Sequence, residues 1–205
     1  MNLSEIKIYV DGPTEIESLK IKFKKEYCDQ VPQFGYGPGN GINYDAQTYA
    51  KNILSCIVLD LNSRFRKIIC IPDLEKRANK QKISCLDFAS QLKEEILKQL
   101  QSVGHYDEKV LEDTIYVCPS DIMFENWIVC DIESLKVTGL FKSGARQSAF
   151  EGQNGARILN DNMTTKYKKT IHAKQLLKKV DKSVAKLNSN SFLNFIDKID
   201  EFVKI

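Results

Sequence analysis

Histidine is scarce in this chain: His105 and His172 are the only two among 205 residues. The six cysteines, Cys28, Cys56, Cys70, Cys85, Cys118 and Cys130, include no C-x-x-C pair. A zinc framework is therefore not expected. Cys56, Cys70, Cys118 and Cys130 lie beside runs of Ile and Val, where a free thiol behaves as a small buried hydrophobe, and this usage fits a reducing cytosol. No run approaches the roughly 18 apolar residues of a membrane span, and Met1 to Glu15 lacks the basic and apolar regions of a signal peptide. A cytoplasmic chain with no membrane partner is the expectation. Net charge is small as well: 30 Lys and Arg against 27 Asp and Glu give +3. That excludes binding to nucleic acid by bulk charge, so any such binding has to be local. A chain of this length buries about 70% of its unfolded surface, enough for a core without cross-links.

What is present is a succession of short apolar runs and amphipathic stretches. Ile6-Lys7-Ile8-Tyr9-Val10, stopped by Asp11-Gly12-Pro13, reads as a strand ending at a turn. Thr14 to Cys28 follows with Ile16, Leu19, Ile21, Phe23 and Tyr27 among many charges, consistent with an amphipathic helix. Pro32 to Asn43 holds four of the ten glycines and two of the five prolines and reads as a mobile loop. Helical spacing resumes over Ala46 to Leu61. Lys67 to Ile71, ended by Pro72-Asp73, has the continuous apolar character of a strand covered on both faces. Ser84 is placed to cap a helix in which Phe88, Leu92, Ile96 and Leu100 repeat every four residues up to Gly104. Thr114 to Cys118 reads as a third strand, followed by an apolar, aromatic segment from Ile122 to Cys130. Gly139 to Gly155 has no clear period. From His172 the chain turns helical and closes on Phe192, Ile196, Ile199 and Val203. Strands alternating with helices in this way predict an α/β fold with a mainly parallel sheet flanked by helices and a helical C-terminal part. Ligands of such sheets gather at the carboxyl ends of the strands.

Acidic residues follow these strand-like segments. Asp11 and Glu15 come after the first, Asp73 and Glu75 after the second, and Glu125 and Asp131 after the third. Carboxylates converging at one sheet edge repel unless a cation neutralises them, and hard oxygen donors suit Mg²⁺ or Mn²⁺. Each acid alone has an ordinary alternative as a helix cap or first-turn residue at the positive end of the helix dipole.

The order Ile-Tyr-Val-Asp-Gly-Pro-Thr-Glu, an apolar strand ending in Asp-x-Glu, Phe-Glu-Asn-Trp-Ile-Val-Cys-Asp-Ile-Glu-Ser-Leu and finally Tyr-Lys-Lys-Thr resembles the small TOPRIM-like proteins of the DUF4276 type. These are similar to the TOPRIM domains of overcoming-lysogenization-defect nucleases. The resemblance runs from Ile6 to about Phe202. It implies a Rossmannoid TOPRIM-like core over 1–135, with an irregular excursion and basic helical part over 136–205 packed on the same domain. It also implies an acidic cluster holding one or two divalent metals for phosphodiester chemistry, with Asp11, Glu15, Asp73, Glu75, Glu125 and Asp131 as metal residues. Asp11 stands where the family usually has Glu, and Glu75 replaces the second Asp of its Asp-x-Asp motif, exchanges that keep charge and change reach by one methylene.

Lys166 to Lys186 contains eight lysines against Asp181 alone, a local +7 that leaves −4 for the rest of the chain. A solvated helix face is the ordinary reading from Lys174 onward. Lys168 and Lys169, beside Tyr167, stand before that helix, where a lysine near a metal-bound phosphate stabilises developing charge. The resemblance implies such a late lysine, with Lys169 ahead of Lys168. The expected catalytic set is Glu15, Asp73, Lys169 and Lys168, and the expected nucleic-acid contacts are Lys166, Lys168, Lys169 and Lys174. Gly35 to Gly41 lacks a Walker Lys-Ser/Thr, so it reads as a flexible connection or a place of close backbone approach, not a nucleotide loop. Trp127 reads as core and His105 as a surface residue. The function implied is metal-dependent cleavage of DNA or RNA within antiphage defence or repair. The expected partners are nucleic acid and a separate ABC-type ATPase, with homo-oligomerisation open. The alternative is a non-catalytic interaction or regulatory subunit on the same scaffold.

Overall fold

The computed structural model describes residues 1–38, 45–75 and 83–203. In chain order its elements are β1 (Ile6–Val10), α1 (Pro13–Glu26), β2 (Gln33–Tyr36), α2 (Ala46–Leu61), β3 (Lys67–Ile71), α3 (Cys85–Val103), α4 (Glu108–Thr114), β4 (Ile115–Val117), α5 (Asn126–Val129), α6 (Ile132–Leu135), α7 (Gly155–Asn162), α8 (Lys169–Lys179), α9 (Lys182–Asn188) and α10 (Asn190–Val203). The chain divides into two compact units. A sheet unit comprises Met1–Gly12 and Val31–Pro119, and a helical unit comprises Pro13–Gln30 and Ser120–Ile205. The predicted α/β class, parallel sheet and helical C-terminal part are all present.

In the sheet unit the strand order is β2-β1-β3-β4 and every pairing is parallel. Ile8 stands between Phe34 of β2 and Ile69 of β3. β1 and β3 are apolar at nearly every position because both of their faces are covered; Ile6, Ile8, Val10, Ile68, Ile69, Cys70 and Ile71 are all buried. α2 begins on Asp45, whose side chain accepts from Thr48 N, and buries Tyr49, Ala50, Ile53 and Ile57. It packs on α3, which also contacts β4. α3 starts where the sequence places it, Ser84 accepting from Asp87 N, and its Phe88, Leu92, Ile96 and Leu100 are all fully buried. Each such side chain contributes about 1.5–3 kcal/mol by leaving water.

Two expectations change. Gln33–Tyr36 is an edge strand paired with β1 and not part of a loop. Its glycine reports a close approach: a Cβ on Gly35 would lie 2.6 Å from Tyr9 Cε1 and 3.0 Å from Lys7 Cε. The remainder of that glycine-rich stretch, 39–44, lies outside the described residues. Cys70, Cys118 and Cys130 are buried free thiols as expected, whereas Cys56 is exposed. The 3.6-residue period explains this, since Ile53 and Ile57 take the buried face of α2 and turn Cys56 outward.

In the helical unit α1 starts on Pro13, well suited to a first helical position, and ends on Lys24 and Lys25, favoured by the carboxyl-end dipole. α1 packs along α8. The core is aromatic. Trp127 stacks on Phe195 with centroids 5.0 Å apart, meets Phe192 edge-on and donates its indole N–H to Ser191 Oγ at 2.8 Å. Lys22 is buried and donates from Nζ to Val180 O at the end of α8 and to Glu26 Oε1. Burial pushes its pKa down. Residues 139–154 are irregular, as their composition predicts, apart from an antiparallel bridge between Phe141 and Met163.

Candidate functional site

The chain leaves β1 for its neighbour β2 on one side and returns as β3 on the other, so strand order reverses between β1 and β3. The carboxyl ends beside such a reversal are the usual ligand position of an open parallel sheet. Asp11 follows β1 and Asp73 follows β3 by two residues. Asp11 Oδ2 accepts from the backbone N of Asp73 at 3.2 Å, and its Oδ1 accepts from the Tyr49 hydroxyl at 3.3 Å. Gly37, just past β2, donates its N–H to Val10 O at 2.7 Å. A Cβ there would stand 2.7 Å from the Tyr49 hydroxyl and 3.0 Å from Asp11 Oδ1. Glycine at this position lets three strand ends and Tyr49 meet. Asp73 is buried. In β3, burial first and then neighbouring negative charge, Asp11 included, push the Cys70 thiol pKa up and keep it protonated. Glu75 takes a left-handed conformation, φ 42°, so a turn and not strand alternation sets its position relative to Asp73.

The other expected acids lie in the helical unit. Glu15, in the first turn of α1, and Glu125, at the start of α5, are buried to 6% and 3% exposure. Lys169 Nζ is 2.5 Å from Glu15 Oε1 and 3.7 Å from Glu125 Oε2. The Tyr167 hydroxyl donates to Glu125 Oε1 at 3.2 Å. Burial first, then the charge and hydrogen bond of Glu125 and the charge of Glu15, push the Tyr167 pKa well up, so the phenol stays a donor.

Capping separates Glu125 from Asp131. Glu125 occupies a helix-start position yet makes no side-chain capping bond. Asp131 does the opposite: Oδ1 accepts from Ser134 N at 3.1 Å and Oδ2 from Asp181 N at 2.7 Å. Its carboxylate is occupied in fastening the starts of α6 and α9.

The lysines of the basic segment also divide. Lys182 pairs with Asp200 at 2.7 Å, and Lys186 with Asp197 at 2.5 Å and Asp200 at 3.5 Å. Lys166, Lys168, Lys174, Lys178 and Lys179 are exposed and, among the described residues, form no ion pair. Lys168 precedes α8, and its backbone N–H is accepted by His172 Nδ1 at 2.9 Å.

A comparison with family models, with curated proteins and with solved structures found no match.

The structure thus brings together Asp11 with Asp73, and Glu15 with Glu125 through Lys169. Among the described residues no group of three or more His, Cys, Asp or Glu is placed to hold a metal ion. Mg²⁺ is usually held by one or two carboxylates together with waters and substrate phosphates, and Asp11 and Asp73 are oxygen donors of that chemistry. Tyr49, Gly37 and Tyr167 belong to these clusters and were not singled out by spacing; the adjacency of Tyr167 to the two lysines and the glycine repeat around 37 were the signals that pointed towards them. No helix among the described residues is long and apolar enough to cross a membrane.

Proposed function

We propose that the protein hydrolyses phosphodiester bonds of DNA or RNA with Mg²⁺ or Mn²⁺. The observation that carries this reading is the Asp11–Asp73 pairing at the carboxyl ends of β1 and β3, on either side of the reversal of strand order. A divalent ion bound there would supply a water of lowered pKa and positive charge to stabilise the leaving group. Asp11 and Asp73 would hold it, with Glu75 close in sequence as a further oxygen donor. Tyr49 orients Asp11 through one oxygen, and Gly37 keeps the approach open.

In the helical unit, Glu15 and Glu125 form the second pair of oxygen donors, and Lys169, with Lys168 beside it in sequence, offers an ammonium to a phosphate oxygen. Lys166, Lys168, Lys174, Lys178 and Lys179 would follow the nucleic-acid backbone through charge, giving salt-dependent and weakly sequence-specific binding. Asp131, with both oxygens engaged by backbone N–H groups, is left out of the ligand set. A separate ABC-type ATPase is the proposed partner in defence or repair. The close Glu15–Lys169 ion pair favours a second reading, a non-catalytic subunit whose charged groups are structural.

Nuclease assays on the full chain with Mg²⁺ or Mn²⁺, with and without an ATPase partner, test the choice. Asp11→Ala and Asp73→Ala, verified as folded by circular dichroism, are expected to lose at least about 100-fold in rate, beyond the usual cost of losing a residue that merely supports a ligand. Cleavage that survives both substitutions, or is absent with either metal, rejects the enzyme and leaves the structural reading.

A further inference from the structure

Lys169 stands in an unequal partnership. Its two carboxylates are almost closed off, with side chains 7% exposed for Glu15 and 4% for Glu125, whereas its own side chain is 35% exposed. The carboxylates are also the fixed members. Glu15 rides on the first turn of α1, inside a helix packed along α8. Glu125 has Oε1 tied to the Tyr167 hydroxyl, which leaves Oε2 as the oxygen facing Lys169. Tyr167 is itself anchored, its backbone N–H donating to Asn160 Oδ1 at 2.8 Å and its ring lying 5.9 Å from that of His172. Lys169 carries its charge on a four-carbon stem at the first position of α8, and its side chain is the partly exposed member of the three.

We propose that Lys169 is the resident cation of this carboxylate pair, that a divalent ion binds Glu15 and Glu125 only by displacing its ammonium, and that Tyr167 holds Glu125 in place during the exchange. The inference rests on the metal-dependent reading above and specifies how that site is regulated. An ammonium and a divalent ion compete for the same oxygens, and at contact distance like charges repel too strongly for both to stay. Displacement turns metal binding into a switch: the released ammonium becomes available to an anionic phosphate only once the ion is in place. No bond is made or broken in this step, only an exchange of cations.

Calorimetric titration of the full chain with Mn²⁺ tests this without reference to turnover. Lys169→Met removes the competitor and is expected to bind Mn²⁺ about tenfold more tightly, a change of about 1.4 kcal/mol. Tyr167→Phe keeps the ring, loses the hydroxyl that holds Glu125, and is expected to bind about tenfold more weakly, the scale typical of groups that orient metal ligands. Opposite signs are the diagnostic, because general damage to the site weakens both. Lys169→Gln serves as the second variant if the Met substitution does not fold. Tightening in the Lys169 variant with weakening in Tyr167→Phe supports the proposal. Mn²⁺ binding by the wild type that is unchanged or weakened by loss of Lys169, or unaffected in Tyr167→Phe, overturns the exchange while leaving the metal reading intact. Absence of Mn²⁺ binding in both the wild type and the Lys169 variants overturns the metal reading and the exchange with it.

Discussion

The two carboxylate pairs differ in the kind of donor that meets them. At the end of the sheet, Asp11 is held by a backbone N–H and a phenol, both uncharged donors. In the helical unit, Glu15 and Glu125 face the Lys169 ammonium. Uncharged donors orient a carboxylate without cancelling its charge, whereas an ammonium cancels one unit of it. A backbone N–H and a phenol orient Asp11 in the first pair, and a lysine ammonium meets the second. Acids that look alike in sequence thus differ in the groups that the fold sets against them.

Stability should separate the two more sharply than any other measurement short of activity. Glu15→Gln leaves Lys169 without its nearest partner and is expected to cost about 1–2 kcal/mol, less than the 3–5 typical of a fully buried pair because Lys169 is partly solvated. Asp73→Asn keeps the backbone N–H from which Asp11 accepts, and as a near-isosteric change is expected to cost less than Glu15→Gln, about 0.5 kcal/mol. Urea denaturation of both variants in metal-free buffer makes the check. Equal losses in the two would erase the distinction between the pairs.

How much of this was legible in the sequence follows from which physical signals are local. β1 and β3 match their apolar runs residue for residue, because a strand covered on both faces needs an unbroken run and Pro or Gly soon after it. The Ser84 cap and its four-residue repeat are local too. β2 was hidden because glycine serves both turns and close approaches; only the Tyr9 ring against Gly35 tells which. The same limit applies to the acids. Glu125 and Asp131 both precede short helices, and the difference between a carboxylate that caps and one that faces a lysine depends on Tyr167, Lys169 and Asp181, 42 to 50 residues away. Within the basic segment, Lys182 and Lys186 look like their neighbours until α10 brings Asp197 and Asp200 against them.

A smaller perturbation sharpens the account of the sheet end. In Gly37→Ala the new Cβ would arrive 2.7 Å from the Tyr49 hydroxyl and 3.0 Å from Asp11 Oδ1. Tyr49 is fully buried, so its ring has little room to yield. The hydroxyl is expected to leave Asp11, costing about 1 kcal/mol in stability for one hydrogen bond and lowering Mn²⁺ affinity at that pair. Tyr49→Phe, which loses the same bond without the added methyl group, should reproduce the affinity loss with less strain. Thermal denaturation and Mn²⁺ titration of the two variants separate crowding from loss of the donor.

The gentlest test compares lysines within one segment. Lys174 and Lys178 lie one turn apart on α8 and are exposed, while Lys182 and Lys186 are engaged by Asp200 and Asp197. An engaged ammonium has already given up its counterions, so it releases none on meeting a phosphate; an unengaged one does. Log affinity for duplex DNA falls with log salt by about 0.9 per phosphate neutralised. Lys174→Gln with Lys178→Gln is therefore expected to flatten that slope by up to about 1.8, with stability nearly unchanged. Lys182→Gln should leave the slope as it was and lower stability by up to about 1 kcal/mol, because it strips Asp200 of its nearer cation in a half-buried setting. Fluorescence anisotropy across a salt series gives the slopes and denaturation gives the stabilities. If Lys182→Gln flattens the slope as much as the α8 pair does, the ion pairs open on binding and the whole segment, not the α8 face alone, meets the phosphate backbone.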